Sequence, residues 1–105
     1  MKQFILIAHD AKDPEAHNRR MACREEHLAT IAKLRTDGKM LLGRAITDDN
    51  DKMCGSVIVS NFSSRAEFDA WLKVEPYAVN KVWGDITVLN GKLAPTFQDL
   101  LTKAS

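Results

Sequence analysis

Two cysteines, three prolines, five glycines and a single tyrosine are all that the 105 residues hold of the types that staple, break or pin a chain. The cysteines, Cys23 and Cys54, have neither CxxC spacing nor His or Cys companions at zinc-site intervals. That excludes a disulfide scaffold and points to reduced thiols in the cytoplasm. Long apolar runs are missing. The longest, residues 4–8 (Phe-Ile-Leu-Ile-Ala), is too short to span a bilayer or to form a signal-peptide core, so no membrane partner is expected. Charge of one sign is missing as well: fifteen Lys plus Arg against fourteen Asp plus Glu leave +1, with no basic block, which argues against nucleic acid as a partner. There is no Gly-rich phosphate loop and no nucleophile elbow, and the acidic stretch 48–51 lacks the alternation and closing Glu of a calcium loop. His9 and His17 have no ligand spacing relative to His27, so the expectation is no metal and no cofactor.

What is present is ordinary globular material. Hydrophobic residues make up 45% and charged residues 28%, which fits one domain over residues 1–105. A chain of this length can bury about two thirds of its surface, enough for a core without staples. Residues 3–8 read as a buried strand, and the breaker-rich Lys12-Asp13-Pro14 closes it. With Asp13 as cap, Pro14 in the first turn and Gly38 as stop, one helix is expected over 14–36. Residues 39–47 and 53–61 form a strand pair around the polar loop 48–52. Ser63 or Ser64 caps a second helix through Leu72, Pro76 opens a short helical stretch to about residue 81, and a last strand covers 83–89. The order strand, helix, strand, strand, helix, strand predicts an α+β fold of the ferredoxin-like βαββαβ type, an antiparallel sheet with both helices on one face. Ile5 and Ile7 then fall on the bare face, whose apolar patch is too large for a monomer. A homodimer closed sheet to sheet is expected, with the tail 93–105 packing across the partner or the rim.

Placed on a helical wheel, Met21, Leu28, Ile31 and Ala32 form one stripe of the first helix, with Cys23 and Leu34 at its shoulder. Arg24 falls near the middle of that stripe and His27 inside its edge, while Glu25, Glu26 and Lys33 point away. Such a pair is either structural, with Arg24 snorkelling and His27 donating to a carbonyl, or the lining of a cleft. In a cleft, histidine is suited to act as general base and a guanidinium to hold an oxyanion. Asp10, at the end of the first strand, could orient the imidazole or serve the turn. Glu75, immediately before Pro76-Tyr77, could supply a helix N-terminal charge or project toward His27. Arg44 is either an edge residue reaching water or a second anchor for an anionic ligand.

Taken together, Arg24-Glu25-Glu26-His27-Leu28, the segment Gly38-Lys39-Met40-Leu41-Leu42-Gly43, and Glu75-Pro76-Tyr77 resemble the pattern of the YCII family over nearly the whole chain. Asp10, Arg24, His27, Gly43, Gly55 and Tyr77 match that pattern directly. Two positions depart from it: Glu75 stands where the family has Asp, and Arg44 replaces a Pro. The resemblance implies a dimeric α+β barrel similar to muconolactone isomerases and small cofactor-free monooxygenases, with a His and carboxylate pair in a small pocket. It further implies, as one activity of the family, dehydrochlorination of a chlorinated hydroxyhydroquinone without metal or organic cofactor. On that reading His27, Glu75 and Asp10 are catalytic, Arg24, Arg44 and Tyr77 bind a small aromatic substrate, and the enzyme is a lyase of aromatic breakdown. The alternatives are a muconolactone-isomerase-like ring isomerase with the same base, and a non-catalytic dimeric ligand-binding module.

Overall fold

Strict alternation decides the first strand. Phe4, Leu6 and Ala8 are buried on one face of β1 (Lys2–Asp10), and Ile5 and Ile7, on the other, are only partly covered. The computed structural model describes residues 1–102; the end of the expected tail, residues 103–105, lies outside the described residues. After β1 come α1 (Ala16–Thr36), β2 (Met40–Thr47), β3 (Met53–Phe62), α2 (Arg65–Leu72), α3 (Pro76–Val79) and β4 (Trp83–Gly91). A 3-10 helix over Pro95–Thr102 follows. The strands form one sheet in the order β2-β3-β1-β4, with every neighbouring pair antiparallel. This is the α+β, ferredoxin-like arrangement expected from the element order, with the apolar run 4–8 at the centre of the sheet.

The core lies between the sheet and its helices, where Phe4, Leu6 and Ile58 meet Phe68 and Trp71. Ser64 caps α2 by accepting from Glu67 N at 3.1 Å, and Glu67 reaches back to Ser63 N at 2.8 Å, so both freed donors are satisfied. Gly38, at φ 77°, takes the left-handed conformation that ends α1. The helix begins two residues later than expected. Asp13 does not cap it; its carboxylate accepts from Glu15 N at 3.1 Å and is gripped by both terminal nitrogens of Arg19 at 2.7 Å.

The buried stripe of α1 differs from the expected one. Ala16, Arg20, Cys23 and His27 are buried, whereas Met21 and Leu28 are 49% and 45% exposed and Arg24 is half-buried. At ~100° per residue this is a rotation of about a quarter turn. An arginine and a histidine occupy positions that an ordinary packing helix gives to apolar residues, so the apolar pattern alone selects the wrong face.

On the uncovered sheet face, ladder register groups Ile5 with Val59 and Leu89, and Ile7 with Val57 and Thr87. Leu42 and Arg44, on the edge strand β2, pair with Val59 and Val57 and extend the same face. Just past β4, Leu93 N donates to the Gln3 side-chain oxygen at 2.8 Å.

Candidate functional site

The most buried charged side chain of α1 is one that the sequence pattern passes over. Arg20 is 2% exposed and donates through Nε to Asp10 Oδ2 at 2.8 Å and through Nη2 to Asp10 Oδ1 at 3.0 Å. The same Nη2 reaches the Gly55 carbonyl at 2.8 Å and Ser56 Oγ at 2.9 Å. Burial alone would lower the guanidinium pKa, but the hydrogen bond and charge of Asp10 outweigh it and leave the group raised above its ordinary value. Gly55 is needed here for close approach, since a Cβ at this position would lie 2.5 Å from the Ala8 carbonyl oxygen. Ser56 Oγ accepts from Arg20 and also from Trp83 Nε1 at 3.1 Å. Both of its lone pairs are therefore committed, and its own proton is the hydrogen-bonding capacity left to offer.

Asp10 thus holds Arg20, and the alternative in which it orients His27 is corrected by this geometry. The carboxylate at the imidazole is Glu75. It is fully buried, caps α3 by accepting from Tyr77 N at 3.2 Å, and its Oε1 contacts His27 Nδ1 directly. Pro76, preset for a first helical position, fixes the turn that aims this carboxylate. Glu75 Oε2 is buried with no hydrogen-bond partner among the described residues. With Nδ1 taken by a carboxylate, the neutral imidazole carries its proton there and presents Nε2 as a lone pair.

Tyr77 lies between the two α1 groups. Its ring stacks on His27 at 3.9 Å between centroids, and the Arg20 guanidinium carbon stands 4.6 Å from the ring centroid. Arg20 and His27 are two turns apart, a rise of ~10.5 Å, so the ring occupies the gap that the helix leaves. Burial pushes the Tyr77 phenol up against the opposing pull of Arg20 and Arg24, so it stays protonated at neutral pH.

These groups form the inner end of a cavity of about 340 Å³ between α1 and β2. Arg20, His27, Ser56 and Tyr77 border it on the inside; Leu28, Ile31 and Ile58 supply apolar walls, and residues 42–45 of β2 form its edge. Of the residues expected from sequence, His27, Arg24, Arg44 and Tyr77 border this cavity, Glu75 reaches it through His27, and Asp10 acts one layer behind, through Arg20. Gly43 is on the wall with no atom closer than 4.0 Å to where its Cβ would stand, so a side chain there would enter the cavity. Arg20 and Ser56 were not candidates on sequence. The available signal was Arg20's place seven residues before His27, which puts both on one helical face. Among the described residues no three His, Cys, Asp or Glu side chains gather as a metal would require, and no helix is long and apolar enough to cross a membrane.

Known proteins share this frame. The structure of 5-chloro-2-hydroxyhydroquinone dehydrochlorinase from Burkholderia phenoliruptrix AC1100, in complex with 2,5-dihydroxybenzoquinone, is similar with a TM-score of 0.74 and 22% identity. The match covers 90% of this chain and 97% of that one. An antibiotic biosynthesis monooxygenase superposes more loosely, with a TM-score of 0.53 at 21% identity over 90% of this chain and all of that one (100%). In sequence, an uncharacterized protein of Haemophilus influenzae is 28% identical over 91 residues, 81% of this chain and 91% of that protein. The pattern of the YCII-related domain matches residues 2–92, and the chain belongs to that family.

Proposed function

We propose that the protein is a cofactor-independent lyase that removes hydrogen chloride from a chlorinated hydroxyhydroquinone, with His27 as general base. The observation that carries this reading is the buried His27–Glu75 pair, whose histidine borders a cavity edged by Arg24. The fold shared with a dehydrochlorinase supports the reaction class. Its ligand, a dihydroxybenzoquinone, has the size and flatness that a 340 Å³ apolar-walled cavity accepts.

In this mechanism His27 Nε2 takes a proton from a ring hydroxyl, and Arg24 stabilises the phenolate. The carbon bearing chlorine takes up a proton to give the keto tautomer. Loss of a second hydroxyl proton then drives out chloride with the C–Cl electron pair. Two O–H protons leave and one C–H forms, so the net loss is HCl and no oxidant is required. Glu75 stabilises the imidazolium, and the Ser56 proton is positioned to bind a ring oxygen. One domain over 1–105, and a second copy covering the Ile5, Ile7, Val57 and Val59 face, complete the proposal.

The test is anaerobic chloride release from chlorinated hydroxyhydroquinones by the purified protein and by His27→Ala. Release should fall by about 10² to 10⁴ in the variant, the usual contribution of a positioned base. Release no faster than the spontaneous rate, with both proteins folded, overturns the lyase reading in favour of a ring isomerase or a binding module.

A further inference from the structure

The cavity carries more positive charge than the proposed chemistry uses. Four arginines border it, Arg20, Arg24, Arg35 and Arg44, and among the described residues no Asp or Glu does. Arg20 is neutralised by Asp10. The other three form no ion pair among the described residues. Stabilising one phenolate requires a single guanidinium, and a hydroxyhydroquinone brings no permanent charge to the rest.

Their positions divide the surplus. Arg24, Leu28, Ile31 and Arg35 follow the i, i+4, i+7, i+11 spacing of one helical stripe, so the apolar stretch of the α1 wall is closed at each end by an arginine. β1 and β2 are both antiparallel to β3 and so run parallel to each other, and α1, which joins them, runs back against both. Leu42 therefore lies toward the Arg35 end of the groove, and Arg44 and Ala45 lie toward the His27 end. Arg24 lies one turn before the imidazole on α1, whereas Arg44, paired with Val57, lies on the opposite face of the sheet and meets the groove only at the β2 edge. Arg35 stands alone beyond Leu28 and Ile31, eight residues or ~12 Å of helix rise past His27. Helix side chains lean toward the N-terminus, so Arg35 reaches back over Ile31 toward a ring lying on the apolar wall.

We infer that the natural ligand is an aromatic carboxylate, its ring on Leu28, Ile31 and Ile58, its hydroxyl at His27, and its carboxylate at Arg35 on the opposite side. The assignment rests on the reading above for the position of the ring hydroxyl, and it deepens that reading by naming a permanent anion that the substrate must carry. The planar guanidinium fork of arginine matches a carboxylate with two parallel hydrogen bonds. Phosphate presents the same chemistry to Arg35, so the test separates the two.

The experiment is a binding titration, read by NMR or calorimetry at low salt, with 4-hydroxybenzoate, phenol and 4-hydroxyphenyl phosphate as probes. One charge-assisted pair corresponds to about 10- to 100-fold in affinity, so 4-hydroxybenzoate should bind tighter than phenol by that factor. Arg35→Gln should abolish the advantage and Arg35→Lys should retain part of it; raised salt should shrink it. Equal binding of benzoate and phenol overturns the inference, as does an advantage that survives in Arg35→Gln. Tighter binding of the phosphate than of the carboxylate, or no binding of any probe at millimolar concentration, overturns it as well. No turnover is read, so a protein that prefers the carboxylate yet releases no chloride refutes the lyase reading alone.

Discussion

The imidazole of His27 lies flat against the ring of Tyr77, with centroids 3.9 Å apart and planes 11° from parallel. Glu75 fixes one ring nitrogen and Tyr77 fixes the ring plane, and both come from the same short turn at the start of α3. Tyr77→Ala should therefore act twice. Loss of a buried aromatic side chain should cost about 3–5 kcal/mol in urea unfolding. The upfield ring-current shift that stacking imposes on the His27 ring protons should also vanish from the NMR spectrum of the folded fraction. Unchanged His27 shifts in the variant would mean that the stack does not orient the imidazole.

Behind that pair, Arg20 and Asp10 form an ion pair with side-chain exposures of 2% and 9%. Removing one partner strands a charge, so Arg20→Met should destabilise by about 3–5 kcal/mol. The Arg20→Met/Asp10→Leu double variant should recover much of that loss. Arg20→Lys keeps the charge but cannot reproduce the fork that reaches Asp10, Gly55 and Ser56 together, and should fall between wild type and Arg20→Met. Additive single losses in a denaturant double-mutant cycle would refute the coupling.

Gly43 keeps the β2 wall of the cavity bare. Gly43→Val should change stability by no more than about 0.5 kcal/mol, since no neighbour is close and strands favour valine. It should nevertheless suppress chloride release more than tenfold by filling the ring's place. Normal turnover by a folded Gly43→Val protein would move the ligand elsewhere.

The fold was legible because its signals are local. The apolar run 4–8, the stop at Gly38, the polar loop 48–52 and the cap at Ser64 each carry their own physical reason, and the structure has all four. The site was legible in its residue types and less so in its partnerships. His27 and Glu75 lie 48 positions apart, and only the tertiary fold joins them. The same fold gives Asp10 to Arg20, whose burial inverts the rule that charges face water. A wheel built on hydrophobicity turns α1 by a quarter because Arg20 and His27 are buried on the face toward the sheet.

The apolar sheet face yields its own expectation. If a second copy covers Ile7 and Val57, which face each other in the β1–β3 ladder, Ile7→Asp should convert the species seen by light scattering to a monomer. Two carboxylates facing each other across a dry interface cost several kcal/mol each to desolvate. A wild-type protein already monomeric at micromolar concentration would remove the proposal of a sheet-to-sheet dimer.

Acid should loosen the site from its outer edge. Arg19 joins the start of α1 to the turn after α3, donating to Asp13 through both terminal nitrogens at 2.7 Å and to the Lys81 carbonyl at 2.8 Å. The hydrogen bond from Arg19 lowers the Asp13 carboxyl from 3.8 to about 2. A carboxyl whose folded pKa is depressed contributes fully above its unfolded value and loses that contribution as pH falls through the folded one. The loss attributable to Asp13 should therefore fall between about pH 4 and pH 2, and none of it near neutrality. Asp13→Asn should flatten the melting-temperature profile in that window and leave its slope above pH 5 unchanged. Because the same arginine tethers the end of α3, whose first turn carries Glu75 and Tyr77, the His27 ring-proton shifts in wild type should move across the same window. An Asp13→Asn profile that follows wild type from pH 4 to pH 2 would show that the Asp13–Arg19 pair contributes no acid-sensitive stability.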